Sequence, residues 1–277
     1  MKTITKFAAT WVVAAGLATV ASAATGSVPV NYSDLILGFS SSNSTTNLEV
    51  NLGSVSQFTQ AAAGSSFTVS NLNVADLVAV NGATWNTSAL SFGIMGTTGK
   101  AGSNNGNGPD GQPLSTLWLS WDTGITAPAQ KIASQQNFGV TGWLNLISTG
   151  NIASLALANN TIGSTANSAL VDGTKAGSWT VSETAGTAFN GVGLTKSSFE
   201  STGGFTGSTS FDLYQLAPGS GNGSLVGVFS LTDTGVLSFT SSGLYASAIP
   251  EPSTYAAIFG VVMLGFAAYR RRFQKKN

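Results

Sequence analysis

The side chains that could do chemistry in this chain are carboxylates and hydroxyls. Its 277 residues include no His and no Cys, against 11 Asp and Glu together. A Ser-His-Asp triad, a Cys nucleophile, a zinc site of the usual ligands and a disulfide framework are therefore excluded. An enzyme built on this chain would have to rely on Asp and Glu as its acids, bases or nucleophiles.

Paired carboxylates are the first chemistry to consider. Glycoside hydrolysis needs two carboxyl groups roughly 5 to 10 Å apart across a cleft. Asp110 with Asp122, or Glu183 with Glu200, are candidate pairs, but nothing in their spacing favours them over any other pair. A carboxylate-based glycosidase is therefore the weaker alternative, and we expect no catalytic residues.

The most site-like loop, residues 104–111, combines Asn and Asp oxygens with glycines. Such oxygens could hold Ca²⁺, which takes about six to eight oxygen ligands. The loop has a single carboxylate, Asp110, and no closing Glu in the EF-hand register. Because any mobile surface loop would have this composition, we expect no metal site and no cofactor.

Aromatic rings that stack on sugars would indicate a carbohydrate-binding module. The candidate rings are those of the tyrosines and of Trp85, Trp118, Trp121, Trp143 and Trp179. On a regular strand positions 118 and 121 point to opposite faces, so these two rings cannot form one platform. Core packing is the favoured interpretation of the tryptophans, and the module stays an alternative.

The elements that must position these residues are short strands. Between residues 24 and 246, short apolar runs alternate with turn residues, which predicts a single all-β, β-sandwich-like body with one or two short helices. Strands are predicted at 34–39, 47–52, 65–70, 89–95, 117–121, 210–216, 225–231 and 236–240, and helices at 151–158 and, more weakly, at 128–138.

Alternation within the second predicted strand places its side chains on two faces. Leu48, Val50 and Leu52 share one face, and Glu49 and Asn51 share the other. We therefore expect Glu49 at the solvated surface rather than in a site.

The N-terminal 23 residues have the pattern of a secretory signal peptide. Lys2 and Lys6 precede an apolar stretch over residues 7–20, and Ala21 and Ala23 supply the small side chains of a cleavage site. Signal peptidase is expected to cut after Ala23.

The C-terminal segment, residues 247–277, has three parts in a fixed order. Pro250, Glu251 and Pro252 precede an apolar stretch over residues 254–269, and the basic residues Arg270, Arg271 and Arg272 follow at once. As a transmembrane helix the stretch would be about 24 Å long, somewhat short of the ~30 Å hydrocarbon core. The arginines would act as a stop on the cytoplasmic side, which places the body outside.

This order of motif, apolar helix and basic end resembles the PEP-CTERM sorting domain of bacterial envelope proteins. The resemblance covers only about the last thirty residues. It implies processing by exosortase, a membrane-embedded enzyme, near Pro250 to Pro252. The body would be held in the cytoplasmic membrane before processing and would then reach the cell surface or an extracellular polymer matrix.

The net charge of the body argues against one class of partner. Between the two ends, four lysines face ten acidic residues, a net charge of about −6 that makes nucleic acid a poor partner. The sequence thus predicts an exported envelope or matrix protein with a non-enzymatic body. Its partners would be signal peptidase, exosortase, the membrane and, in the matrix, extracellular polysaccharide.

Overall fold

The structure is a computed structural model that describes residues 28–87, 90–99, 107–146, 161–174, 177–184 and 200–246, together with Met263. Within these ranges the backbone is mostly β. The strands are β1 Asp34–Ser41, β2 Thr46–Ser54, β3 Ser66–Thr68, β4 Leu90–Thr97, β5 Leu117–Asp122, β6 Thr161–Ile162, β7 Ser168–Asp172, β8 Glu200–Thr202, β9 Ser208–Leu216, β10 Ser224–Thr232 and β11 Leu237–Ser241. The helices are α1 Ser56–Thr59, α2 Val74–Asn81, α3 Ala133–Leu146 and α4 Trp179–Thr184.

The eight predicted strands are all present, and each end lies within two residues of its predicted position. A tight turn joins β10 to β11, where Gly235 has a positive φ of 83°. Helices are more numerous than the expected one or two, because α1, α2 and α4 were not predicted. Of these, α1 and α4 are too short for hydrophobic periodicity to indicate them. The helix predicted at 151–158 lies outside the described residues.

The helix predicted from residue 128 begins later, at Ala133, and continues to Leu146. The residues before it pair with the loop that precedes β10 instead: Ala129 forms a β-bridge with Asn222, and the Gln130 N–H donates to the Gly221 carbonyl. That pairing holds the segment extended, so helical hydrogen bonds start only after it.

All strands of the described residues join one antiparallel sheet. Its order is β3-β11-β10-β9-β5-β4-β1-β2-β7-β6, and β8 pairs with the first half of β4. A mostly-β fold is therefore confirmed, but the expected sandwich layers are parts of a single hydrogen-bonded sheet. The sheet curls, because residues of β1, β2 and β4 share one apolar core with residues of β9, β10 and β11.

The inner face of the curled sheet is filled by phenylalanines and aliphatic side chains. Phe58 of α1 closes this core at one end, with its ring centroid 5.0 Å from that of Phe239 and 5.3 Å from that of Phe229. Because α1 contacts β2, β10 and β11, it joins the two halves of the curled sheet. A four-residue helix is thereby fixed by tertiary packing rather than by its own propensity.

The outer face is covered over only part of its area. Helix α3 packs on β4 and β5, and α4 packs on β1 and β2. Under them lies a second apolar core that includes Ile36, Trp143 and Trp179. Over β9, β10, β11 and β3 the outer face carries solvent-accessible polar side chains in register, such as Ser210, Ser230 and Ser238.

Candidate functional site

The chain leaves the folded body through residues 241–246, which we call the exit segment. The Ser241 hydroxyl donates to the Ala61 carbonyl over 2.9 Å, and the Tyr245 N–H donates to the Thr59 carbonyl over 2.9 Å. Gly243, at a φ of 80°, lies so close to Ala63 that a β-carbon there would be 2.7 Å from the alanine methyl. The end of the body is therefore held against α1 and the turn after it.

The side chain of Tyr245 ties the exit segment to the sheet as well. Its hydroxyl accepts a hydrogen bond of 2.6 Å from the Gln215 side-chain amide. The oxygen of Gln215 in turn accepts from the indole N–H of Trp118, in the inner core, over 3.2 Å. The exit segment is thus connected to β5 and β9 through two successive hydrogen bonds, one buried and one partly buried, whereas the ends of most domains are poorly ordered unless they are tied down.

Asp110, the single carboxylate of the loop at residues 104–111, contacts the same helix. Its carboxylate accepts hydrogen bonds from the Thr59 hydroxyl and from the side-chain amides of Gln60 and Gln112. These donors occupy both oxygens, so Asp110 fastens its loop to α1. Across the described part of the chain, no group of three or more carboxylates is arranged to hold a metal ion.

Glu49 lies elsewhere than expected: it is fully buried on the outer face of β2, under α4. Its neighbours across the strands are Gly38 and Ala169, whose small side chains leave room for it. The indole of Trp179 lies over Gly38, where a β-carbon would overlap the ring. The prediction of a solvated Glu49 was wrong because strand alternation fixes the face of a residue, whereas a covering helix decides its exposure.

The Glu49 carboxyl has no hydrogen-bond partner for either oxygen. Burial raises the pKa of Glu49 well above its ordinary value, and the nearby backbone N–H of Trp179 offsets only part of that rise. A neutral carboxyl is much less costly to bury than a carboxylate. Glu49 is therefore held in its protonated form over a wide pH range.

The structure describes the side chains of one of the two candidate carboxylate pairs, Asp110 and Asp122. Asp110 lies in the loop before β5, whereas Asp122 is the last residue of that strand, about 17 Å from its first residue, Leu117, at the usual rise. The side chains of Glu183 and Glu200 lie outside what the structure describes. Asp122 on β5 lies opposite Phe211 on β9, a residue of the inner core. Asp122 is therefore on the inner face, whereas Asp212, the next residue of β9, is on the outer face.

Asp212 and Tyr214 form a small polar pair on the outer face of β9. Burial raises the pKa of Asp212, and the nearby Tyr214 hydroxyl offsets part of that rise. Burial, followed by the charge of Asp212, raises the pKa of Tyr214. Burial also raises the pKa of Asp122 on the other face.

All five tryptophans that the structure describes are buried, the most accessible being Trp121 at 8%. As predicted, Trp118 and Trp121 belong to different cores on opposite faces of the sheet. Trp121 shares its face with Tyr214, but its indole N–H is bonded to the Thr126 carbonyl and its ring is largely covered. None of these five rings offers a flat exposed platform to a sugar.

Comparison with known families finds one motif in the chain. It begins three residues after Tyr245, just beyond the exit segment. Residues 248–272 match the PEP-CTERM protein-sorting motif. The chain carries a PEP-CTERM signal. The resemblance drawn from the sequence is confirmed, and the signal identifies a protein sorted through exosortase to the cell surface. No curated protein and no solved structure matches the chain.

The matched residues include the predicted motif, Pro250, Glu251 and Pro252, and the predicted basic stop at residues 270–272. These positions, and the predicted signal peptide with Ala21 and Ala23, lie outside the described residues. Among the residues that are described, no helix is long and apolar enough to cross a membrane. The PEP-CTERM residues were visible in the sequence, whereas Thr59, Gln215 and Tyr245 gave no signal there because their partners are distant in the chain.

Proposed function

We propose that this chain is an exported envelope or matrix protein that is held in the membrane by residues 254–269 until exosortase cuts near Pro250 to Pro252. The PEP-CTERM match over residues 248–272 carries the proposal. The body before it is non-enzymatic and serves at the cell surface or in an extracellular polymer, where polysaccharide surrounds it.

Three features of the body support a role without catalysis. The chain lacks His and Cys. Of the candidate carboxylates whose side chains the structure describes, Asp110 is tied to structural hydrogen bonds and Asp122 ends β5 on the inner face of the sheet. Over β9 to β11 the surface displays hydroxyl groups and few charges, which suits a hydrated polymer.

Export is tested by the N-terminus of the mature protein. Ala21 and Ala23 supply the small side chains that signal peptidase admits, so mass spectrometry is expected to find Ala24 first. An intact Met1 on most of the envelope-associated protein would contradict cleavage at this site.

Sorting is tested by two variants that separate holding from cutting. Replacing Arg270, Arg271 and Arg272 with neutral residues removes the charge that resists translocation, so less protein should remain in the membrane. Glu251→Ala leaves the apolar length intact, so the precursor should stay inserted and accumulate unprocessed. The measurement is the ratio of precursor to processed protein in membrane and released fractions of a host with an active exosortase. Normal processing of the Glu251→Ala variant would reduce the proposal to a simple membrane anchor.

Catalysis is tested on the released body. Because the body has neither His nor Cys, any genuine hydrolase activity would have to collapse when one Asp or Glu is changed to its amide. We expect no activity on a panel of glycans. Activity that is lost in a single amide variant would replace the non-enzymatic proposal with a glycosidase.

A further inference from the structure

The exit segment is short and well fixed, and it lies close to the sorting signal in the chain. Pro250 is the fifth residue after Tyr245, a reach of about 18 Å when fully extended. Thr254, where the apolar stretch starts, is the ninth residue after Tyr245, a reach of about 32 Å. A body of this length is about 45 Å across, so the tether is shorter than the body it holds.

From this geometry we infer that the exit segment fixes which side of the body faces the membrane before processing. That side is the turn after α1, where Ala62 and Ala63 are exposed beside Gly243. In the precursor, this side of the body lies against the membrane surface. This inference rests on the proposed function, because it requires the precursor to be held by its C-terminal segment.

Contacts rather than charge set this orientation. The hydrogen bonds of Ser241 and Tyr245 to the α1 region and the Gln215 bond to the Tyr245 hydroxyl hold the last residues in place. In the described ranges Lys131 is the sole basic residue, so this part of the body presents no basic patch to anionic lipid. The direction in which the chain leaves the fold therefore determines what the membrane covers.

Exosortase must then reach Pro250 to Pro252 in the narrow gap between the body and the membrane. Holding residues 241–246 on the body shortens that gap. Adding residues after Ala246 lengthens the tether without changing the fold, and should both uncover the facing side and speed processing.

The absence of native cysteines allows a direct test by labelling. Single Ala62→Cys and Thr234→Cys variants place a thiol beside the exit segment and in the turn at the far end of β11, both at exposed positions. Each is combined with Glu251→Ala to keep the precursor in washed membranes, and is treated with a bulky polyethylene glycol maleimide. The Ala62→Cys thiol should react severalfold more slowly in the precursor than in the released body, whereas the Thr234→Cys thiol should react equally in both.

Two changes in the exit segment complete the test. Insertion of Gly-Ser-Gly-Ser after Ala246 should restore fast labelling of the Ala62→Cys thiol and, with Glu251 intact, raise the initial rate of processing. The same insertion after Asn43, in the exposed β1–β2 turn, is the matched control and should change neither. Gly243→Val, which adds strain at positive φ and a clash with Ala63, should act like the first insertion.

The outcomes separate this inference from the proposed function. Equal labelling at both thiols in the membrane-held precursor would overturn the orientation and leave sorting intact. Identical processing with either insertion would overturn the narrow gap. Release of the Glu251→Ala variant from membranes would instead overturn the proposed sorting itself.

Discussion

At the scale of single residues, Glu49 is the one acidic residue of the described ranges that is buried with neither carboxyl oxygen hydrogen-bonded. It is an acid with no hydrogen-bond partner, placed in the middle of a sheet and covered by the α4 helix. The small neighbours Gly38 and Ala169 and the indole of Trp179 form its surroundings. A group of this kind makes stability depend on pH.

The sign of that dependence follows from the raised pKa of Glu49. Glu49 keeps its proton to a higher pH in the folded protein than in the unfolded chain, where the pKa of a Glu side chain is about 4.3. The free energy of unfolding should therefore fall as pH rises above that value and level off above the folded pKa, by about 1.4 kcal/mol for each unit of the shift. Glu49→Gln replaces the titratable carboxyl with an amide, so the free energy of unfolding should fall much less with pH in that variant.

Urea unfolding of the body at a series of pH values measures this difference. Asp233→Asn is the control. Asp233 accepts an exposed hydrogen bond from the Gly207 N–H, and the side-chain oxygen of an asparagine can accept the same bond. Parallel pH profiles of the wild type and the Glu49→Gln variant would contradict a buried, protonated Glu49.

Gly38 allows a second prediction at this scale. A β-carbon at this position would overlap the ring of Trp179. Gly38→Ala should therefore displace α4 or strain the sheet, at a cost of about 1 to 3 kcal/mol. Intrinsic tryptophan fluorescence and the unfolding midpoint should change together. An unchanged midpoint would mean that Trp179 does not rest on β1.

At the scale of elements, α1 connects three parts of the molecule. Phe58 fills the inner core, Thr59 binds the exit segment through its carbonyl, and its hydroxyl binds Asp110. A short helix of low intrinsic stability thus depends on contacts that are distant in sequence. Loss of one of these contacts should weaken the others.

Asp110→Asn tests this connection. The carboxylate accepts hydrogen bonds at both oxygens, whereas an amide has one accepting oxygen, so at least one donor among Thr59, Gln60 and Gln112 loses its partner. The expected loss is about 1 to 2 kcal/mol of unfolding free energy. Asp233→Asn, in which a single oxygen accepts, should cost less than about 0.5 kcal/mol. Equal effects of the two substitutions would show that Asp110 does not hold its loop to α1.

At the scale of the whole molecule, the distribution of charge separates the body from its ends. The basic residues concentrate in the first six and last eight positions, and the interior is acidic. Once both ends are removed, nothing in the charge of the body favours anionic lipid.

The released body should therefore leave the membrane completely. Residues 24–246 are expected to show no binding to vesicles rich in anionic lipid in a flotation assay, at low or at physiological salt. The unprocessed chain should float with the vesicles regardless of salt, because its attachment is apolar. Salt-sensitive binding of the processed body would contradict attachment through the C-terminal segment alone.

The sequence alone determined the sorting signal and the strands. The PEP-CTERM signal consists of a Pro-Glu-Pro motif, an apolar stretch and basic residues in that order, and this order is visible in the sequence itself. The strands from Asp34 to Ser54 and from Ser208 to Ser241 follow from period-two alternation and turn residues, which are also local.

Only the tertiary structure decided that the strands form one curled sheet, that α4 buries Glu49, and that Tyr245 ends the body against α1. Each depends on partners far apart in the chain, such as Thr59 and Tyr245, or Gly38 and Trp179. Alternation assigned Glu49 to the correct face, but exposure depends on which element covers that face. Local patterns carry no record of such long-range packing, because it is the three-dimensional fold that brings these residues together.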